Sequence, residues 1–122
     1  MIMNNILKIS AMLLISIFSS LPLYAVNYDF FAKNADGVTI YYKKISKTDK
    51  TCAVVSKDDN FNSYSGTVNI PTTAKDFQGE AFSVTAINIY AFYECSDLVS
   101  VTIPESSTSI GELAFSNCNN IN

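Results

Sequence analysis

The chain repeats itself in its C-terminal half, with a period of 23 residues. Residues 87–98 recur as residues 110–121, and the positions that match are apolar or cysteine. The matching pairs are Ile87 and Ile110, Ala91 and Ala114, Phe92 and Phe115, Cys95 and Cys118, and Leu98 and Ile121. In a stacked solenoid, inward side chains are fixed by the neighbouring coil and outward side chains vary freely. The repeat therefore predicts a mainly β solenoid of about two coils, a scaffold that presents a surface. Phe92 and Phe115 are expected to stack on each other in its core.

A second motif marks one strand of each coil. Val101-Thr-Ile103-Pro104 is similar to the earlier Val68-Asn-Ile70-Pro71, and in both copies apolar residues alternate with polar ones. Alternation points successive side chains to opposite faces of a strand, and the proline ends the strand. We read the first copy as an early coil followed by an inserted loop around Ala74–Ala81. The predicted core of the repeat comprises Ile87, Ala91, Phe92, Cys95, Leu98, Val101, Ile103, Ile110, Ala114, Phe115, Cys118 and Ile121.

Three segments are predicted along the chain. Residues 1–25 contain a weakly basic start, an apolar run and a small-residue exit, which is the layout of a cleaved secretory signal peptide. Their apolar run is shorter than the roughly 20 residues that span a bilayer, so no membrane span is expected after cleavage. Residues 26–82 are predicted to form an N-terminal β cap and the early coil, with strands near Val38–Tyr42 and Cys52–Val55. Residues 83–122 carry the repeated coils and stop in mid-coil, which we interpret as a truncated array.

Charge and residue type argue against several functions. All eight basic residues are Lys, there are eleven acidic residues, and His is absent. Nucleic-acid binding needs a basic surface, and the usual neutral-pH base and a common metal ligand are both imidazole. Asp58-x-Asn60-x-Asn62 begins like a calcium loop, but Ser63 and Asn69 stand where such a loop needs Gly and Glu. We therefore predict that the protein is not an enzyme and has no cofactor, metal site or nucleic-acid partner.

The three cysteines cannot all pair with one another within one chain. Cys95 and Cys118 occupy the same place in successive coils, and neighbouring strands lie about 4.8 Å apart, a spacing that leaves a disulfide open. Stacked side chains run parallel, however, and would have to turn toward each other to bond. We interpret Cys95 and Cys118 as small buried residues that fill the corner of each coil, and Cys52 as a packed strand residue.

The repeated units resemble the BspA-type leucine-rich repeats, a 23-residue class found in surface proteins of mucosa-associated bacteria and some protists. The resemblance rests on Ala91-Phe92-x-x-Cys95-x-x-Leu98-x-x-Val101-x-Ile103-Pro104 and on Ile110-Gly111-x-x-Ala114-Phe115-x-x-Cys118. Asn88 stands where such repeats usually have Gly, which predicts a strained or reshaped turn. The resemblance implies the N-terminal portion of a secreted or cell-surface protein that binds protein ligands. Adhesion to extracellular-matrix or other surface proteins of host or bacteria is the role commonly proposed for the family.

Strand alternation indicates which residues would meet a partner. Val99, Ser100 and Thr102 should face outward on one strand, with Asn69 and Thr67 beside them in the early coil. Two alternatives remain open. The segment could only cap a longer repeat array, or it could be a secreted carbohydrate-binding β module whose sugar platform is formed by Tyr28, Tyr41, Tyr42 and Tyr64.

Overall fold

A computed structural model describes residues 25–121, and in that part of the chain the ordered elements are strands, with no helix. Consequently no helix in residues 25–121 is long and apolar enough to cross a membrane. The predicted signal peptide lies outside the described residues, apart from Ala25. The strands are β1 (Phe30–Lys33), β2 (Thr39–Ser46), β3 (Thr51–Val55), β4 (Gly66–Asn69), β5 (Thr73–Lys75), β6 (Ala81–Ile87), β7 (Leu98–Thr102) and β8 (Ser109–Ile110).

The first three strands form an antiparallel meander. β1 pairs with β2 through a turn in which the Gly37 N–H donates to the Asn34 carbonyl at 3.0 Å. Gly37 has φ +80°, a left-handed conformation that glycine adopts without steric cost. β2 then pairs with β3, also antiparallel. The strand formers after Asp36-Gly37 therefore produce the paired strands that the sequence predicts.

Parallel pairing begins at β3, and apart from the antiparallel β5–β6 hairpin it continues to β8, which marks the start of the solenoid. β3, β6 and β8 form one parallel ladder, in which Val54 pairs with Ile87 and Ile87 pairs with Ile110. β4 and β7 form a second ladder on another side of each coil. Parallel ladders between strands far apart in sequence are what stacked coils produce. The predicted mainly β solenoid is confirmed.

The turns between the ladders also stack, through backbone hydrogen bonds from one coil to the next. The Phe92 N–H donates to the Ala114 carbonyl at 2.8 Å, and the Asn62 N–H donates to the Tyr93 carbonyl at 3.1 Å. Left-handed backbone conformations recur with the sequence period: Tyr90 and Leu113 have φ of 60° and 57°, and Glu94 and Asn117 have φ of 57° and 61°. The two turns thus share one backbone shape.

An aromatic column runs through the stacked turns. The Phe92 and Phe115 rings lie 4.9 Å apart at 5° to each other, so the expected stacking of these two rings is confirmed. Tyr64 extends the column on the other side of Phe92, with ring centroids 4.7 Å apart. Phe92 is completely buried, and rings of this kind contribute most of the apolar burial in a small core.

Most of the predicted core positions are buried, but Ile110 differs. Its counterpart Ile87 is 1% exposed, whereas Ile110 is 56% exposed. Ile87 lies between two strands of the parallel ladder, while Ile110 lies on β8, the outermost strand of that ladder in the described residues. The position in the repeat is therefore the same, but the second neighbour that covers it is not. Val101, Ile103, Phe115 and Ile121 are partly buried against the same core.

The inserted loop around Ala74–Ala81 is a hairpin. β5 pairs antiparallel with the first half of β6, and the turn between them contains Gly79 with φ +84°. Asp76 holds this turn, because its carboxylate accepts the Gln78 and Glu80 N–H groups at 3.0 and 2.8 Å. The same carboxylate pairs with Lys44 of β2 at 2.9 Å. The hairpin therefore folds back on the meander, and the sheet curls.

The turn at Asn88 has the same shape as the turn one coil later, so the reshaped turn predicted at this position is not observed. The Asn88 backbone is not left-handed, and the turn that follows repeats the φ values of the next coil. Gly111, the equivalent residue one coil later, is constrained by space. A Cβ there would lie 2.4 Å from the Ile89 nitrogen, closer than real Cβ atoms approach backbone. Asn88 and Gly111 make the same backbone contact, since their N–H groups donate to the Val54 and Ile87 carbonyls at 2.9 and 2.8 Å. The Asn88 side chain has room because it borders an open groove.

Candidate recognition surface and relatives

The five residues predicted to face a partner lie together on the outer side of the β4–β7 sheet. Thr67 pairs with Ser100 and Asn69 pairs with Thr102 across the parallel ladder. The Ser100 hydroxyl donates to the Thr67 hydroxyl at 3.2 Å. Three of the five side chains are hydroxyls and one is an amide, so the surface is rich in groups that both donate and accept hydrogen bonds.

The side chains on the inner side of this sheet keep the surface in place. Val68 and Leu98 are completely buried, and Ile70 is 4% exposed. Val99 stands at a register shift, where the ladder passes from the Gly66–Leu98 pair to the Thr67–Ser100 pair. It is 44% exposed, which puts one apolar side chain beside the hydroxyl groups. The arrangement gives a polar surface with a small apolar spot, anchored by a buried inner row.

One side of this surface is bordered by the β1–β2 turn, a contact that was not predicted from the sequence. The Asn69 amide donates to the Asp36 carboxylate at 2.8 Å, and the Asn34 amide donates to the Asn69 carbonyl at 2.9 Å. The β1–β2 turn therefore borders the β4–β7 sheet and ties up part of the Asn69 side chain. Asn34 and Asp36 are 35 and 33 residues from Asn69, so no local sequence signal indicates the contact.

The four tyrosines of the carbohydrate alternative do not form one platform. Tyr42 and Tyr64 are only 1% and 4% exposed. The Tyr64 hydroxyl donates to the Val55 carbonyl at 2.7 Å and accepts the Tyr41 N–H at 3.0 Å, so it is a structural link in the core. Burial raises the pKa of Tyr64 well above its ordinary value of 10.0. Tyr28 and Tyr41 are half-buried and pack together, with centroids 5.1 Å apart.

The three cysteines are free thiols and are all buried. Burial raises the pKa of Cys52 to about 12, and burial is also the main cause that raises the pKa of Cys95 and of Cys118. The Cys118 thiol donates to the Phe92 carbonyl at 2.9 Å, which adds a link between coils. Since the thiolate is the nucleophile, thiols with raised pKa values in apolar surroundings are poorly reactive. Their geometry suits packing.

Residues 25–121 contain no group of three or more acidic or cysteine side chains arranged to hold a metal ion. At Asp58, the residue that opens the calcium-like pattern, the carboxylate accepts the Asn60 N–H at 3.0 Å. A side chain that bonds to its own backbone two residues on is a turn-forming contact. This segment is used by the described fold as a loop.

The geometry thus defines a class of protein: a small repeat solenoid with a buried apolar column and a polar strand surface. The chain belongs to the BspA-type leucine-rich repeat family, because residues 62–122 match the family model described as "BspA type Leucine rich repeat region (6 copies)". The matched segment begins just before Tyr64 and β4. It therefore includes the aromatic column and the outer side of the β4–β7 sheet. Leucine-rich repeat folds are typically binding modules for proteins rather than enzymes.

Two solved structures of leucine-rich repeat proteins are similar to this chain. One, from Bacteroides ovatus, is 30% identical with a TM-score of 0.59, over 78% of this chain and 23% of that protein. The other, from Bacteroides capillosus, is 30% identical with a TM-score of 0.55, over 76% of this chain and 62% of that protein. The chain therefore spans about a quarter of the first relative and less than two thirds of the second. Among curated proteins, none matches this chain.

Proposed function

We propose that this protein is exported and binds another protein through the outer side of the β4–β7 sheet. The observation that supports this most is the difference in burial along β7. Leu98 is completely buried and anchors the strand, while the side chains of Val99 and Thr102 are exposed. Exposed residues on a rigid strand can vary to suit a binding partner with little effect on the stability of the fold. Similarity to leucine-rich repeat proteins supports the same role.

The expected partner is an extracellular-matrix protein or another protein of a host or bacterial surface. A stable interface buries about 800 Å² on each side, more than five side chains supply. The β1–β2 turn at Asn34–Gly37 adjoins the surface through Asn69 and would extend the contact. With Ser, Thr and Asn groups at its centre, the contact would depend on hydrogen bonds and shape more than on charge.

A charge substitution on the surface tests this proposal. The Ser100→Lys and Thr102→Lys double variant should bind immobilised fibronectin, collagen or laminin much more weakly than the native chain. The interface would have to desolvate two ammonium groups that have no partners there. A matched control places the same two charges at Thr48 and Gln78, which are exposed residues in the β2–β3 turn and the β5–β6 turn. Circular dichroism melting verifies that both variants fold. Equal binding by the two double variants would contradict the assignment of this surface.

Export is proposed from residues 1–25. Expression with the native leader in a Bacteroides host, followed by fractionation and N-terminal sequencing, should give a mature chain that starts at Val26 and is found outside the cytoplasm. Recovery of the uncut chain in the cytoplasm would refute export. If the exported chain binds no surface protein, residues 26–82 would be better explained as a cap that shields the apolar column of a repeat array.

A further inference from the structure

A groove of about 410 Å³ opens on the side of the solenoid, away from the β4–β7 sheet. It lies between the segment after β3 and the turn after β6. Tyr64 follows Val54 by ten residues, whereas in each later coil the aromatic follows the matched isoleucine, Ile87 or Ile110, by five. The first coil therefore has five additional residues, which leave the stack as a loop. The groove is the space under that loop, and its volume is in the range of small-ligand pockets, roughly 300–1,000 Å³.

Two aromatic rings form a wall of the groove. Phe61 comes from the loop and Tyr90 from the turn, and their ring centroids lie 5.5 Å apart at 48°. Tyr93 packs edge-on against both, at 4.9 Å from Phe61 and 5.1 Å from Tyr90. The backbone of Phe61 and Asn62 is left-handed, with φ of 56° and 49°. The Asn62 N–H donates to the Tyr93 carbonyl at 3.1 Å, which fixes this unusual conformation and with it the ring of Phe61.

Polar groups surround the aromatic wall. Lys43, Asp59 and Asn88 line the groove together with the apolar Ile89, which is 46% exposed. Ser56 also lines it, but its hydroxyl already accepts the Asn27 amide at 2.9 Å. The groove thus offers an ammonium donor, a carboxylate acceptor and an amide that does both. Among the side chains that line the groove, Lys43 is positive and Asp59 is negative, so these side chains together carry no net charge.

Asn88 belongs to the groove because of where it lies in the coil. At the equivalent place one coil later, Gly111 rests against the Asn88–Ile89 backbone, and there is no room for a side chain. Asn88 pairs instead with the coil whose loop departs, so its side chain has space and lies on the groove lining. The residue that breaks the family pattern is therefore the one that supplies an amide to this pocket.

We propose that this groove binds a neutral saccharide. A sugar ring has one apolar C–H face and a rim of hydroxyls. The C–H face carries the partial positive charge that the negative face of an aromatic ring attracts, so it would lie on Phe61 and Tyr90. The hydroxyls would reach Asn88, Asp59 and Lys43. The site lies away from the β4–β7 surface and does not depend on protein binding there.

Saturation-transfer difference NMR on the full chain tests the proposal, with cellobiose, maltose, lactose and N,N′-diacetylchitobiose as neutral probes and glucuronic acid and glucose 6-phosphate as acidic ones. At least one neutral probe should receive saturation at its ring C–H protons. Tyr90→Ala should weaken that probe about tenfold, which corresponds to roughly 1.4 kcal/mol, and Asn88→Gly should weaken it by a smaller factor. Leu113→Ala, the matched change at the equivalent position one coil later, should leave the affinity unchanged.

Several outcomes would overturn the proposal. These are no transfer to any neutral probe, binding that Tyr90→Ala does not weaken, and stronger binding of the acidic probes. A loss of binding in Leu113→Ala equal to that in Tyr90→Ala would mean that the sugar binds elsewhere. Circular dichroism melting of each variant separates loss of the site from loss of the fold. Binding to matrix proteins is measured separately on the Ser100 and Thr102 variant, so failure of one proposal leaves the other intact.

Discussion

Phe92 offers a direct test of the aromatic column. The ring is completely buried and lies between Tyr64 and Phe115, with centroid distances of 4.7 and 4.9 Å. Phe92→Ala would remove the middle ring and leave a cavity between two coils. Truncation of a buried Phe typically costs about 3–5 kcal/mol. Small domains have about 5–15 kcal/mol of stability in total, so we expect a loss of about a fifth of the stability or more.

Two further phenylalanines provide graded controls for this measurement. Phe115→Ala should cost roughly half as much or less, because Phe115 is only partly buried and stacks on one side. Phe77→Ala should change stability by about 0.5 kcal/mol or less, because Phe77 is 60% exposed.

The free energy of unfolding is measured by urea titration followed by far-UV circular dichroism and tyrosine fluorescence, with all variants made in the full chain. The expected order of destabilisation is Phe92, then Phe115, then Phe77. The reasoning would be refuted if Phe92→Ala were no more destabilising than Phe77→Ala. A much larger loss from Phe115 than from Phe92 would also contradict it, since the column would then depend on its outer ring.

Two more predictions concern contacts between coils and between hairpins. Gly111→Ala should lower the free energy of unfolding by about 1–3 kcal/mol, because the added Cβ would overlap the Ile89 backbone. Asn88→Ala, at the equivalent site one coil earlier, should change the stability to urea little. Equal losses in the two variants would contradict the conclusion that Gly111 is required for lack of space. The pKa of Asp76 is lowered from its ordinary value of 3.8, mainly by the hydrogen bond from Lys44 and next by the hydrogen bond from the Glu80 N–H. The ionised Asp76 therefore stabilises the fold above pH 3.8, and this stabilisation is lost as the pH falls through the lowered pKa. Melting curves between pH 7 and pH 2 should therefore show that Asp76→Asn is less stable than the native chain at pH 7 and loses less stability in acid. If the melting temperatures of both proteins fell equally with pH, Asp76 would not be the group that stabilises the fold.

Much of the repeat was predictable from sequence because stacked coils impose the same constraints at each period. The match of Phe92 to Phe115 was enough to predict the stacked rings, and the alternation in Val101-Thr-Ile103 indicated which side of β7 faces outward. The strands after Asp36-Gly37, near Val38–Tyr42 and Cys52–Val55, were predicted from local preferences. These features depend on contacts within a few residues or on one repeated neighbour, so they leave a visible pattern.

Burial at the last coil was not predictable in the same way. Ile87 and Ile110 occupy matched positions, yet one is buried and the other is 56% exposed. A sequence repeat predicts which side chains point into the solenoid. How exposed each side chain is depends on whether a coil covers it on both sides. The contact between the β1–β2 turn and Asn69 was missed for a related reason, since it joins segments more than 30 residues apart.

The sequence by itself determined the class of fold, the inward positions of the repeat and the residues of the β4–β7 surface. Periodic apolar spacing is a local property that any stacked arrangement must satisfy. Only the tertiary structure decided where β3 joins the first ladder, why Gly111 is required while Asn88 is tolerated, and that Phe61 packs against Tyr90 in one wall of a groove. Each of these depends on the distance between two coils, which is set by packing and by the length of one loop rather than by the pattern within a coil.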